Sequence, residues 1–191
     1  MRPADAVLER VTPRPRVLMN DNVTSPTALI FPVERLVAEM AARGIDTLVD
    51  GAHAPGMTPL NIEKLGAAWY VGNCHKWMCA PKGAGFLYAR RDKRDGLRPA
   101  IISHGANQPL PAGRTRFRAE FDWTGTFDPT AILCVPEAIR FMASLLPGGW
   151  PEIMAQNRAL ALDARRALAD ALRVPLPCPD EMIGAMAALP L

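Results

Sequence analysis

The sequence predicts an α/β fold, a mostly parallel sheet flanked by helices, followed by the start of a smaller C-terminal domain. Three observations predict it. Short β-type runs alternate with helical segments at the spacing of βαβ units. Polar residues gather directly after the apolar runs, where open parallel sheets collect their functional loops. The break Pro147-Gly148-Gly149 then separates two helical stretches, dividing a larger domain, 1–147, from an incomplete one, 148–191.

The elements follow in order. Arg16-Val17-Leu18-Met19 is an apolar run ending in Asn20-Asp21-Asn22, which suits a strand and its C-terminal loop. Pro32 opens a periodic segment with Val33, Leu36, Val37 and Met40 on one face, and Gly44 closes it, so a helix is expected over Val33–Arg43. Ile45 to Val49 reads as a buried strand ending at Asp50-Gly51. Pro59 to Leu65 reads as a short helix stopped by Gly66, Ala67 to Gly72 as a third strand, and Gly85 to Ala89 as a fourth. From Leu97 to Arg118 the prolines and glycines predict a long loop. Helices are expected over Thr130–Leu145 and Pro151–Leu172, the second with Ile153, Leu160, Leu162, Leu168 and Leu172 among its apolar positions.

Bulk composition excludes several function classes. The 191 residues are 49% hydrophobic and 21% charged with a net charge of +3, ordinary for a globular protein and too weakly basic for nucleic-acid binding. The densest charge run, Arg90 to Asp95, is broken by acids and reads as a solvated turn. Cys74, Cys79, Cys134 and Cys178 form no CxxC pair and no zinc spacing; free, mostly buried thiols and no metal are expected. No stretch has the length of a membrane span, and the N-terminal residues contain no apolar signal region, so a cytoplasmic protein with no membrane partner is expected. The chain starts just ahead of its first strand and stops within the apolar run Met186 to Leu191; both ends are expected to lie inside a larger fold.

Chemistry concentrates after two strands. Asp50 ends a strongly apolar strand, where a carboxylate needs a cationic or hydrogen-bonding partner. Taken singly it reads as a cap or turn aspartate, and His53 as a hydrogen-bonded loop histidine; together they form a candidate site. Lys76, in Gly72-Asn73-Cys74-His75-Lys76-Trp77, follows a buried strand directly. The apolar Trp77, Met78, Cys79 and Ala80 argue against a fully exposed lysine, and desolvation frees an amine to act as a nucleophile. The Pro81-to-Gly85 turn serves backbone geometry, since no helix follows it as a phosphate loop requires. No GxGxxG follows the first strand, which disfavours a dinucleotide site.

These motifs in this order resemble the class V aminotransferase family, pyridoxal-phosphate (PLP) enzymes of fold type I. The residues that carry the resemblance are Asp50-Gly51-Ala52-His53, Asn73-Cys74-His75-Lys76-Trp77 and the strand Gly85 to Ala89. Upstream Asn22 to Thr27 and downstream Phe121 to Thr126 match the same group, so the likeness runs from about Val17 to Leu191. Within the family the pattern is most like isopenicillin N epimerase-like members; cysteine desulfurases and sulfoxide lyases share the layout. The resemblance implies that Lys76 is the Schiff-base lysine, which also moves the substrate α-proton. It implies that Asp50 pairs with the pyridine nitrogen and that His53 bonds the phenolic oxygen. His75 and Asn73 match positions near the phosphate, and Ser25 a position near the substrate or the phenolic oxygen. Thr126 matches a residue that reaches the phosphate of a neighbouring subunit's cofactor, which implies a homodimer.

Departures from the family pattern are also legible. No phosphate-binding turn or ring-stacking residue precedes Val17, and the substrate-carboxylate arginine and desulfurase cysteine of relatives lie beyond the matched region. Ala28 stands where glycine is frequent. The expectation is a partial large domain of a PLP enzyme acting on an amino-acid substrate, from a fragment or a split or truncated gene. The alternatives are a desulfurase or C–S lyase branch, or a non-catalytic remnant.

Overall fold

The computed structural model describes residues 3–190. In chain order the elements begin with α1 (Pro3–Leu8), β1 (Val17–Asp21), α2 (Val33–Ala41), β2 (Asp46–Gly51), α3 (Ile62–Leu65), β3 (Trp69–Asn73) and β4 (Gly85–Ala89). They continue with α4 (His104–Asn107), α5 (Arg116–Phe121), α6 (Thr130–Leu133), α7 (Val135–Ser144) and α8 (Gly149–Leu172). The four strands form one sheet in the order β1-β2-β3-β4. β1, β2 and β3 run parallel because helices α2 and α3 carry the chain back across the sheet between them. β4 lies antiparallel to β3, since the segment 74–84 simply turns back. The sheet is therefore mixed and mostly parallel, flanked by helices.

Register assigns the side chains to two faces. On one, Thr47 and Val49 of β2 stand beside Tyr70 of β3 and Phe86 and Tyr88 of β4. The apolar stripe of α2 (Val33, Leu36, Val37, Met40) covers this face, and Val33, Val37, Val49, Ala67 and Tyr70 form a buried cluster with it. Tyr70 and Phe86 stack at 6.3 Å between ring centroids. A Cβ at Gly72 would collide with the Phe86 ring, so the absent side chain is what admits the aromatic. A second cluster joins Cys74, Ala80 and Ala84 to Ala131, Val135 and Ala138 of α6 and α7.

Several boundaries differ from those expected. β2 and β3 run on to Gly51 and Asn73, because ladder pairing continues through Asp21↔Asp50 and Gly51↔Gly72 after the apolar residues stop. The expected helix 130–145 is two helices meeting at Cys134; Pro136 lacks an N–H and cannot continue the preceding turn. The segment 97–118 is no featureless loop. It contains α4 and leads into α5, whose N-cap Thr115 accepts from the Arg118 amide and whose buried Glu120 meets Arg98 at 2.7 Å. The long helix starts at Gly149 rather than Pro151. The thiols are free, but they are not mostly buried: Cys74 is, Cys79 is exposed, and Cys134 and Cys178 are half-buried. Ala28 adopts φ +59 while buried, a left-handed conformation in which any Cβ is strained, which is why glycine suits the position.

After α8 the chain returns to the sheet. The side chain of Arg165 is fully buried and reaches Asp180 at 2.8 Å. Leu29 then bridges Ile183, and the Ile30 amide donates to the Met182 carbonyl at 2.8 Å. The segment 180–183 is thus bound to the loop that follows β1. No single helix among the described residues is long and apolar enough to cross a membrane.

Candidate functional site

The C-terminal ends of the parallel strands define one edge of the sheet. Asp21 and Asp50 are register partners there, and Asn73 ends the neighbouring strand on the same face. The loop leaving β2 carries His53, and the segment leaving β3 carries Lys76. Gly56 brings the two together. It has φ +83, and a Cβ there would lie 2.6 Å from the Trp77 carbonyl carbon, so only glycine permits this approach. The lysine segment is a tight turn: the Cys79 amide donates to the Lys76 carbonyl, the Ala80 amide to Cys74, and the Cys74 amide to Ala84.

Within this edge, Lys76 Nζ lies 3.0 Å from His53 Nε2. The other imidazole nitrogen, Nδ1, accepts from the Trp77 indole N–H at 3.4 Å. Burial pushes the His53 pKa below its ordinary value; the Lys76 amine adds to that shift, while Asp50 and Asp21 oppose it. Asp50 Oδ1 accepts from the Ala52 amide at 2.9 Å, and Oδ2 has no hydrogen-bond partner among the described residues. The backbone of β2 is fastened by the Asn22 amide, which donates to the Asp50 carbonyl at 2.7 Å. Asn22 is itself buried and accepts from the Tyr70 hydroxyl at 3.0 Å. Burial, with a smaller contribution from the Asp50 charge, pushes the Tyr70 phenol far up, so it remains a neutral donor. His75 turns the other way: its Nδ1 donates to the Ala84 carbonyl at 2.8 Å, since a carbonyl can only accept.

The structure brings Lys76 and His53 into contact and sets Asp50 at the adjoining strand end, close enough for its charge to act on His53. Asn73 closes the edge at the end of β3. His75 is anchored beside Lys76 through Ala84. Ser25 and Thr126 are exposed, and among the described residues neither makes a side-chain hydrogen bond to this group. Sequence reasoning missed Asp21, Asn22, Tyr70, Gly56 and the role of Trp77. Asp21 had a readable signal, an acid at the end of a strand that opens with an apolar run, like the one that exposed Asp50. The others depend on contacts between residues 20 to 50 positions apart, which no local pattern reports.

The family model for aminotransferase class-V matches residues 2–181. This chain belongs to that family. It is 39% identical over 194 residues to isopenicillin N epimerase of Streptomyces clavuligerus, an alignment covering 96% of this chain and 48% of the relative. It is 32% identical over 178 residues to an L-cysteine desulfhydrase of Arabidopsis thaliana, covering 92% of this chain and 37% of that protein. Among solved structures, the cysteine desulfurase CsdA of Escherichia coli aligns with TM-score 0.67 at 20% identity, over 87% of this chain and 41% of that one. The apo cysteine desulfurase of Thermococcus onnurineus gives TM-score 0.67 over 92% and 44%. The chain thus spans about half the length of these relatives, and its fold is that of the fold type I PLP enzymes.

Members of the class-V family depend on PLP, and the donor set at this edge fits that cofactor. Asp50 Oδ2 accepts no hydrogen bond among the described residues, an oxygen that could pair with a pyridinium. Lys76 presents a primary amine whose only side-chain hydrogen bond among the described residues is to His53. Asn73 ends β3, and His75, bonded to Ala84, directly precedes Lys76 in the chain.

Proposed function

We propose that this chain is the lysine-bearing part of a PLP-dependent enzyme acting on an amino-acid substrate, of the isopenicillin N epimerase type. The observation that carries the reading is the 3.0 Å contact of Lys76 with His53, one strand away from the half-engaged carboxylate of Asp50. When bound, PLP supplies an electron sink that lowers the cost of removing the substrate α-proton. The protein's own groups do the rest. Lys76 would provide the amine that holds the cofactor and would move the proton at the substrate α-carbon. Asp50 would hold the ring nitrogen protonated through Oδ2, and His53 would bond the phenolic oxygen. Asn73 and His75 would face the phosphate, and Ser25 the substrate or the phenolic oxygen. Thr126, which is exposed, would serve the cofactor of a second subunit in a homodimer.

The epimerase branch draws support from two relatives of that name, at 39% and 36% identity over nearly the whole chain. A C–S lyase branch is the second reading, favoured by the relatives named L-cysteine desulfhydrase. Adding PLP to this chain and to Lys76→Ala tests the proposal. A visible absorbance band that requires Lys76 is expected; its absence from the parent chain overturns the reading. Solvent deuterium entering the α-position of an amino acid, without sulfide release from cysteine, assigns the epimerase branch, and sulfide release assigns the other.

A further inference from the structure

The two histidines that flank Lys76 in space are bonded in opposite senses. His75 Nδ1 faces a carbonyl, which can only accept, so Nδ1 carries the proton. His53 Nδ1 faces the Trp77 indole N–H, which can only donate, so Nδ1 carries none. The neutral His53 ring must then bear its proton on Nε2, the nitrogen 3.0 Å from Lys76 Nζ. With the Trp77 indole bond in place, Nε2–H donates to the lysine nitrogen once the amine is neutral, through the lone pair that attacks a carbonyl carbon. Burial disfavours the charged imidazolium and so favours this neutral form.

We propose that Trp77 is a positioning residue that fixes the tautomer of His53, so that the imidazole presents a donor, not an acceptor, at the Lys76 nitrogen. Resting on the PLP reading above, that donor is the one offered to the cofactor's phenolic oxygen. An Nδ1–H tautomer would face the same oxygen with a lone pair and repel it. Gly56 serves the same end, because its missing Cβ lets the His53 loop lie against the Trp77 backbone. Trp77 thus acts on the chemistry through His53 and needs no contact with substrate.

Long-range proton–nitrogen correlation spectra of the 15N-labelled full chain, recorded without cofactor and followed upward in pH from above the histidine range until the amine loses its charge, read the tautomers directly. The chain has three histidines, so His53→Gln and His75→Gln assign the signals. His53 protonated on Nε2 and His75 on Nδ1, in one spectrum, is the expected result. His53 protonated on Nδ1 overturns the proposal. Trp77→Phe is expected to turn the His53 signals into those of a tautomer mixture; unchanged signals in a folded variant also overturn it. Should Trp77→Phe fail to fold, the Trp77 indole proton keeps the test open. In His53→Gln it is expected to move and to exchange faster with solvent, and an unmoved resonance refutes the bond. Because these readouts need no PLP, a chain with the expected tautomers that fails to bind PLP overturns the cofactor reading alone.

Discussion

The two faces of the sheet are built from the same strands, yet they meet different surroundings. The face bearing Thr47, Val49, Tyr70 and Phe86 is sealed by α2, and its residues are buried or nearly so. The face bearing Met19, Asp50, Val71 and Leu87 leaves Met19 65% and Leu87 39% exposed. Asp21, Asp50 and Asn73 all belong to the second face, at its C-terminal edge. Packing and the candidate site are thus divided across the sheet: one face makes the core, and the other carries the candidate site residues at its rim. The sealed face also reaches the site, because Tyr70 extends from it to hold Asn22, which in turn fastens the end of β2.

The largest effect that can break this comparison is truncation on each face. Leu36→Ala, beneath the sealed face, is expected to cost about 3 kcal/mol, whereas Met19→Ala on the open face should cost under about 0.5 kcal/mol. Urea midpoints of the two variants measure the difference, and equal losses would show both faces to be equally packed. Next in size is Gly51→Ala. Its Cβ would run into the Tyr70 ring and hydroxyl, so a loss of about 2 kcal/mol is expected from overpacking. An unshifted midpoint would mean that Tyr70 can move without cost, which would dissolve the link between the sealed face and the site.

The smallest effect is a pH slope at the rim. Burial holds the folded-state pKa of His53 below the ordinary value of 6.5, so between those two values the unfolded chain binds more protons. The stability contribution is therefore complete above pH 6.5 and is lost as pH falls through the folded-state pKa. Urea midpoints at pH 7.5 and pH 5 should fall further for the parent chain than for His53→Gln. The same fall in both would show that His53 is freely solvated.

Much of this was legible in sequence, for reasons that particular residues make plain. The apolar runs at 17–19, 45–49 and 67–71 and the periodic stripe of Val33, Leu36, Val37 and Met40 state their own secondary structure, since burial on one side imposes a period. Thr130 to Leu145 was misread as one helix because its apolar period continues across Pro136, whose effect is steric and local. Helices α4 and α5 were hidden by the prolines around them, although Thr115 with Arg118 is an ordinary cap.

By itself the sequence determined the elements, the strand ends at which Asp50 and Lys76 fall, and the family, because local periodicity and ordered motifs are properties of the chain read in a line. Only the tertiary structure decided that His53 touches Lys76, that Trp77 holds the far side of its ring, and that Asn22 and Tyr70 brace the strand beneath. Those contacts span one to two βαβ units, and their existence depends on sheet register and on the close approach allowed at Gly56, neither of which a one-dimensional pattern encodes.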